Sequence, residues 1–205
     1  MVTIRPATSA DAPITSRLLA EAFRDDPAWA VSLPDPTTRP RKLEAHYRRR
    51  LHRHPELVDV AVDGDRVVGA LLWAAPRAES RAAAVLRPVR RTLRPVRRAL
   101  RRIASRLPGG KGIGHGLAVQ SYRPAEPHWY LHDIAASPAA RGMGVGSALL
   151  THFVGRIDAS DTPLAALEAT SPGSRRLYER FGFEAVGRVP TQPGQASTVM
   201  VRRPS

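Results

Sequence analysis

Hydrophobic positions along the chain switch between a period of two and a period near 3.6, and the switches mark the elements. Val2 to Arg5 alternates like a strand, and Thr8 to Asp11 supplies capping residues for a helix carrying Ile14, Leu18, Leu19, Ala22 and Phe23 on one face. Asp25-Asp26-Pro27 stops that helix. Trp29, Val31 and Leu33 follow in a Pro-rich loop, where apolar residues often cover a pocket or a neighbouring helix. A second helix is predicted from about Thr38 to His54, ending before Pro55. Leu57 to Val62 and Arg66 to Ala75 form a hairpin around Asp63-Gly64-Asp65, because Asp-Gly between β-branched runs favours a tight reversal.

The middle of the chain carries a near repeat, Leu86 to Thr92 echoed by Leu93 to Ala99. Val85, Val89, Leu93, Val96, Leu100, Ile103 and Leu107 form an apolar stripe among arginines, which predicts an amphipathic helix. Pro95 would remove an interior bond, so two short helices are the alternative. Gly109 to Gly114 then reads as a flexible return. Trp129 to Ala136 predicts a central strand, and Val145, Leu149, Leu150, Phe153 and Ile157 predict a helix over 143 to about 158. Leu164 to Ala169 reads as a buried parallel strand, and Pro172 opens a helix ending near Arg180. Phe183 to Val189 and Ser197 to Arg202 close the sheet as an antiparallel pair. The order predicts one mixed α/β domain over residues 1–205, with a basic helical insertion over 77–116.

Composition adjusts this picture in two places. The chain has 205 residues, 42% of them apolar, and no cysteine, which excludes disulfides, thiolate metal sites and a cysteine nucleophile. Seven histidines are scattered, so no metal is suggested. Met1 to Arg5 lacks a signal-type apolar core and Val67 to Ala75 is too short to span a bilayer, so a cytoplasmic protein is expected. The net charge is +14, and residues 77 to 106, with eleven arginines against Glu79, contribute +10 of it. Three readings of that stretch stand: a solvated helix pair on the core, a cover or wall of an active site, and a surface for anionic lipid or nucleic acid.

Between the central strand and its helix, Gly142, Gly144 and Gly146 leave the backbone bare, so helix-start amides can converge on one anion with Arg141 beside them. A dinucleotide fingerprint would need glycine where Ser147 stands, and the Gly-Lys-Ser/Thr of a P-loop is absent. The pattern Arg-x-x-Gly-x-Gly over Arg141 to Gly146 resembles the acetyl-CoA pyrophosphate loop of the GCN5-related N-acetyltransferase (GNAT) family. Leu167-Glu168-Ala169-Thr170, Ser174 and Leu177 to Phe183 resemble the family's later strand, helix and Tyr-Glu-x-x-Gly-Phe ending. Arg123 to Tyr130 and the Glu168 to Phe183 region look most similar, within that family, to puromycin N-acetyltransferase-like proteins.

The resemblance implies a GNAT fold: a mixed central sheet of about six to seven strands flanked by helices, here with the arginine-rich insertion between the third and fourth strands. It implies acetyl-CoA as co-substrate. Arg141, Gly142, Met143, Gly144, Val145, Gly146 and Ser147 would bind its pyrophosphate, and Ile134, Ala135 and Ala136 its pantetheine arm, with an amide near Ala135 or Ala136 facing the oxyanion. Ser174 stands where many relatives have Asn, so a hydroxyl replaces that contact. The first two helices and their loop would form one wall of the acceptor site.

Attack of a neutral amine on a thioester requires removing a proton, stabilising an oxyanion and protonating the thiolate. The resemblance assigns the last task to Tyr178, which would otherwise be a packing tyrosine. Glu168, in an apolar strand, is either a base acting through water with a raised pKa or a carboxylate paired with an arginine. The period-two rule puts His132 and Asp133 on opposite faces, so at most one meets the substrate. His46, His52 and His54 lie near the acceptor wall or simply on a helix surface. The expected function is transfer of acetyl from acetyl-CoA to a primary amine of a small molecule, by a monomer or homodimer. The rivals are a protein amine acetyltransferase and a non-catalytic protein docking on anionic lipid or nucleic acid through residues 80–106.

Overall fold

The computed structural model describes residues 2–76, 110–140 and 142–204. The arginine-rich helices expected over 80–106, and Arg141, lie outside the described residues. The strands are β1 (Val2–Pro6), β2 (Val58–Asp63), β3 (Arg66–Ala74), β4 (Trp129–Ala136), β5 (Ala165–Ala169), β6 (Glu184–Pro190) and β7 (Ala196–Arg202). They form one seven-stranded sheet in the order β1-β2-β3-β4-β5-β7-β6. Only β4 and β5 run parallel, and every other neighbouring pair is antiparallel. The described helices are α1 (Ala12–Ala22), α2 (Pro27–Ser32), α3 (Arg39–Arg53), α4 (Gly110–Tyr122), α5 (Val145–Asp158) and α6 (Pro172–Glu179).

Apolar residues on both faces of the sheet dictate two layers of cover. On one face, called the front, Leu19 of α1 and Leu43, Tyr47 and Leu51 of α3 pack on Val58, Val60, Ala70, Leu72 and Ala135. On the back, Val145, Leu149, Leu150, Phe153 and Ile157 of α5 pack with Tyr178 and Phe183 on Leu71, Trp73, Leu131 and Leu167. A Cβ on Gly69 of β3 would lie 2.5 Å from Val145 Cγ1 and 3.1 Å from Leu149 Cδ1. The bare backbone at Gly69 therefore lets the first turn of α5 sit directly on the sheet, which fixes where that helix begins.

Four local features depart from what the pattern predicts. The Pro-rich loop holds a short helix, α2, because Asp26 accepts from the amides of Ala28 and Trp29 (2.9 and 3.0 Å) and Pro27 takes the first helical position. Ile14 is 49% exposed, and α1 instead buries Ala12, Thr15, Ser16, Leu19 and Ala20. The glycine-rich return is helical from Gly110 onward. Tertiary packing overrides a cost of about 1 kcal/mol per glycine there: a Cβ on Gly112 would lie 2.8 Å from Ser32 Oγ, and Ala118 and Val119 pack on Val189 and Val199. Finally, β4 contains a bulge, since Leu72 pairs with Asp133 while Trp73 pairs with Leu131.

Two buried charges hold the layers in register. Arg39 donates to the carbonyls of Arg24, Leu33 and Pro34 at 2.8, 2.7 and 3.1 Å and so fixes the chain between α1 and α3. Asp59 of β2, 1% exposed, accepts from Trp73 Nε1 (3.0 Å) and twice from Arg156 of α5 (2.6 and 3.1 Å). The Arg156 guanidinium lies 4.5 Å over the Trp73 ring. Asp59→Ala should strand both donors and lower stability by about 3–5 kcal/mol, read as a lower urea midpoint at unchanged m. A loss of less than about 1 kcal/mol would put this contact in the class of surface ion pairs.

Candidate active site

β4 and β5 pair only through Trp129, Tyr130 and Leu131, opposite Ala165, Ala166 and Leu167. Beyond that point Glu168 and Ala169 pair with β7, and among the described residues no strand lies on that edge of β4. His132 to Ala136 thus offer backbone groups to an opening between two strands, and buried amides and carbonyls require partners. Ile134 and Ala136 pack into the back core and Ala135 into the front, so this stretch is held by the sheet on its other edge.

At the end of β4 the chain turns into α5. Gly142 and Gly144 adopt left-handed backbone, with φ of +83° and +71°, and nothing lies within 4 Å of where a Cβ would be at either. The backbone conformation, not crowding, is what calls for glycine there. The Ala148 amide bonds the Gly144 carbonyl at 2.9 Å, and Val145, Gly146 and Ser147 have no helical acceptor among the described residues. Gly146 and Ser147 are half-buried and Met143 is exposed. These free amides at the head of a 14-residue helix fit a diphosphate. A cleft of about 420 Å³ opens at the end of β4, lined by Glu21, Ala22, Arg24, Asp25, Ala136, Ser137 and Pro138.

The front face of the opening gathers the titratable groups. Leu131 and Ile134 both pack into the back core although they stand three positions apart, which is the consequence of the bulge. His132 and Asp133 consequently share the front face, and the expectation that they point oppositely does not hold. Asp133 Oδ1 accepts from the Tyr47 hydroxyl of α3 at 3.2 Å. His132 stands 4.9 Å from the Tyr130 ring. Both feel the charge of Arg50, whose Nε is buried without a partner among the described residues. Burial pushes the Asp133 carboxyl up to about 6, against the Tyr47 bond and the Arg50 charge. Desolvation, then the Arg50 and Arg123 charges, lower the pKa of His132, although the residue keeps an exposed surface.

Aromatic rings line the same wall. Trp29 lies 5.1 Å from His46 and 5.9 Å from Tyr47, centroid to centroid. His46 is half-buried and its pKa is lowered, by burial and then by Arg50 and Arg49, whereas His52 and His54 are exposed. The wall at the front is therefore aromatic and His46 is neutral.

Glu168 has a partner that the pattern did not suggest: Oε1 lies 2.8 Å from His115 Nε2 on α4, with side chains 15% and 8% exposed. Burial works against a charged His115, but the Glu168 bond and charge outweigh it and raise its pKa. His115 Nδ1 is buried without a hydrogen bond of good geometry, the Pro190 carbonyl being the acceptor on that side. Asp26 joins the same cluster. Its pKa is raised by burial against bonds from Thr170, Trp29 and Ala28, and it feels Glu168.

Tyr178 bridges the two faces. Its ring is 5% exposed in the back core, 6.1 Å from Phe183, yet the charges that act on its hydroxyl are the front-face Asp133 and Asp26, with Tyr130. Burial first, and those groups second, push its pKa up, so the phenol keeps its proton. Ser174 serves locally: its Oγ accepts from the Ser171 amide and hydroxyl (3.2 and 3.0 Å), closing a capping box at the head of α6. Asp26, Trp29, Tyr47, Arg50 and His115 were not singled out as site residues by sequence reasoning. Asp26-Pro27 carries a cap signature and Tyr47 and Arg50 share a helix face, but nothing marks His115. Among the described residues no group of three or more His, Asp or Glu side chains is arranged to hold a metal ion.

Residues 19–183 match the Acetyltransferase (GNAT) family. A crystal structure from Corynebacterium glutamicum, described as histone acetyltransferase HPA2 and related acetyltransferase, is 30% identical, with TM-score 0.69 over 100% of this chain and 97% of that one. Two further structures share the fold at 18% identity. They are a polyamine N-acetyltransferase of Drosophila melanogaster (TM-score 0.67, all of both chains) and an agmatine N-acetyltransferase (TM-score 0.63, 98% of both). The chain therefore belongs to the GNAT family and is an acetyl-CoA-dependent N-acetyltransferase.

Proposed function

We propose that the protein transfers acetyl from acetyl-CoA to a primary amine of a small molecule. One observation carries this reading: a single opening between β4 and β5 has free helix-start amides at its end, a protonated phenol in its back wall and carboxylates on its front. Val145, Gly146 and Ser147, with Gly142, Met143, Gly144 and Arg141, would take the pyrophosphate. The edge of Ile134, Ala135 and Ala136 would pair with the pantetheine arm. Tyr178 would give its proton to the departing thiolate.

The acceptor side favours a cationic molecule. Asp26, Asp133 and Glu168 reach it from three elements, and the half-buried Trp29 ring supplies a face for an ammonium or an aromatic group. That two structures of the same fold are polyamine and agmatine acetyltransferases agrees with such an acceptor. The stretch Arg123 to Tyr130, which resembles puromycin N-acetyltransferase, places Arg123 3.7 Å over the Tyr130 ring, so an aminonucleoside belongs among the candidates.

Release of CoA thiol should be followed with polyamines, agmatine, aminonucleosides and peptide N-termini. Turnover of at least one small amine is expected, and turnover of peptides alone would overturn the small-molecule reading. Gly144→Val forces a branched side chain into left-handed backbone at about 1–2 kcal/mol. CoA affinity by calorimetry should fall about tenfold or more as the amides lose their aim, with the circular dichroism spectrum unchanged. Equal affinity would remove this turn from the donor site. Tyr178→Phe should lower kcat by about 100-fold or more with CoA affinity retained, and an unaltered kcat would exclude the phenol as acid.

A further inference from the structure

Glu168 was the sequence's candidate for the proton acceptor, yet its bonded oxygen is held by His115 at 2.8 Å. The bulge in β4 brings another carboxylate to the opening. Asp133 is the first residue past the point where β4 and β5 part to combine three properties. It faces the aromatic front wall, remains half-buried rather than sealed, and is felt by Tyr178 more strongly than any other charged group.

Resting on the acetyl-transfer reading above, we infer that Asp133 takes the proton from the acceptor amine, with Tyr47 and Arg50 positioning its carboxylate. The neutral amine nitrogen forms its bond to the thioester carbonyl carbon as that carbon's oxygen becomes an oxyanion. The excess N–H proton passes to the Asp133 carboxylate. The oxyanion collapses, the C–S bond breaks, and the sulfur takes the Tyr178 proton. Products are the amide and the free thiol. Asp133 then returns its proton to the Tyr178 phenolate, directly or through water, so the cycle consumes and releases no net proton.

The surroundings favour this group over its neighbours. From α3 it meets the Tyr47 hydroxyl and the Arg50 charge, with His46 beyond; from the chain before α2, Asp26, and from α2, Trp29. On its own strand stand His132 and Tyr130, and across the opening Tyr178. His132 and His46 both have lowered pKa values and are weak bases. Asp133 is raised to about 6, so it is ionised at neutral pH yet basic enough to accept a proton. The sign follows directly: transfer requires the carboxylate, so activity rises as pH increases through about 6.

The test is the pH dependence of kcat/KM for an aliphatic amine. Deprotonation of the amine gives a slope of one, common to all variants. Wild type should steepen to a slope of two below about 6. Asp133→Asn should lose the extra slope and about 100-fold or more in rate, while Glu168→Gln and His115→Asn keep the slope. CoA affinity and the urea midpoint of Asp133→Asn should match wild type or exceed it, because the amide keeps the Tyr47 bond without a buried charge. Tyr47→Phe supplies a check independent of Asp133→Asn folding. It removes a bond that favours the carboxylate, so the break should move to higher pH. Retention of the extra slope in Asp133→Asn, its loss in Glu168→Gln, or an unmoved break in Tyr47→Phe would each overturn the assignment. A wild-type protein that binds CoA but acetylates no amine would overturn the acetyl-transfer reading, and this inference with it.

Discussion

Parallel pairing between β4 and β5 lasts three residues and then stops, and the active-site geometry follows from that interruption. A sheet that stayed closed would satisfy the backbone of His132 to Ala136 and bury it. Parted, the strands leave one edge of β4 without a neighbouring strand among the described residues while β3 still holds the other. Such an edge, held by β3 on one side, suits an extended ligand arm. Gly69 contributes from a distance, since its bare backbone lets α5 seat on the sheet and so places the free amides at the end of the opening.

Burial and charge are set against each other within this site in a way they are not elsewhere. Asp59 is buried too, but two donors saturate it and its role is to tie β2, β3 and α5 together. Asp133 is held by bonds from Tyr47 and Trp29 against its burial, and Arg50 beside it carries a buried nitrogen with no partner among the described residues. Incomplete satisfaction of buried polar groups costs stability and is tolerated where chemistry needs a shifted pKa. The family relationship establishes the donor chemistry, and the acceptor side is where this chain's own residues, among them His115 and Trp29, give it an individual character.

The strands were legible because each carries its own apolar run between turn residues, and the glycine turn was legible because only glycine suits its left-handed backbone. Trp129 to Ala136, the hairpin at Gly64 and the buried stripe of α5 all appear where the pattern places them. The fold class followed from their order. What escaped was set by contacts between distant segments. Glycines 110 to 116 argue against a helix locally, and only the surfaces of Ser32, Val189 and Val199 make one favourable. His115 was invisible as a site residue for that reason. The bulge in β4 was equally hidden, because strict alternation is the default reading of a strand and one inserted residue reverses the facing of everything beyond it. Ser174 stands at a motif position where many relatives have Asn, and its hydroxyl is engaged in capping α6.

The central claim is that one opening receives a CoA arm along β4 and its diphosphate on the head of α5. Residue-resolved amide hydrogen exchange with and without CoA tests it most directly. Exchange should slow at Val145, Gly146 and Ser147 and along β4 beyond Leu131, with little change at β1 and β2. Bound CoA that leaves those amides as fast as before, or that protects a different surface, would contradict the account.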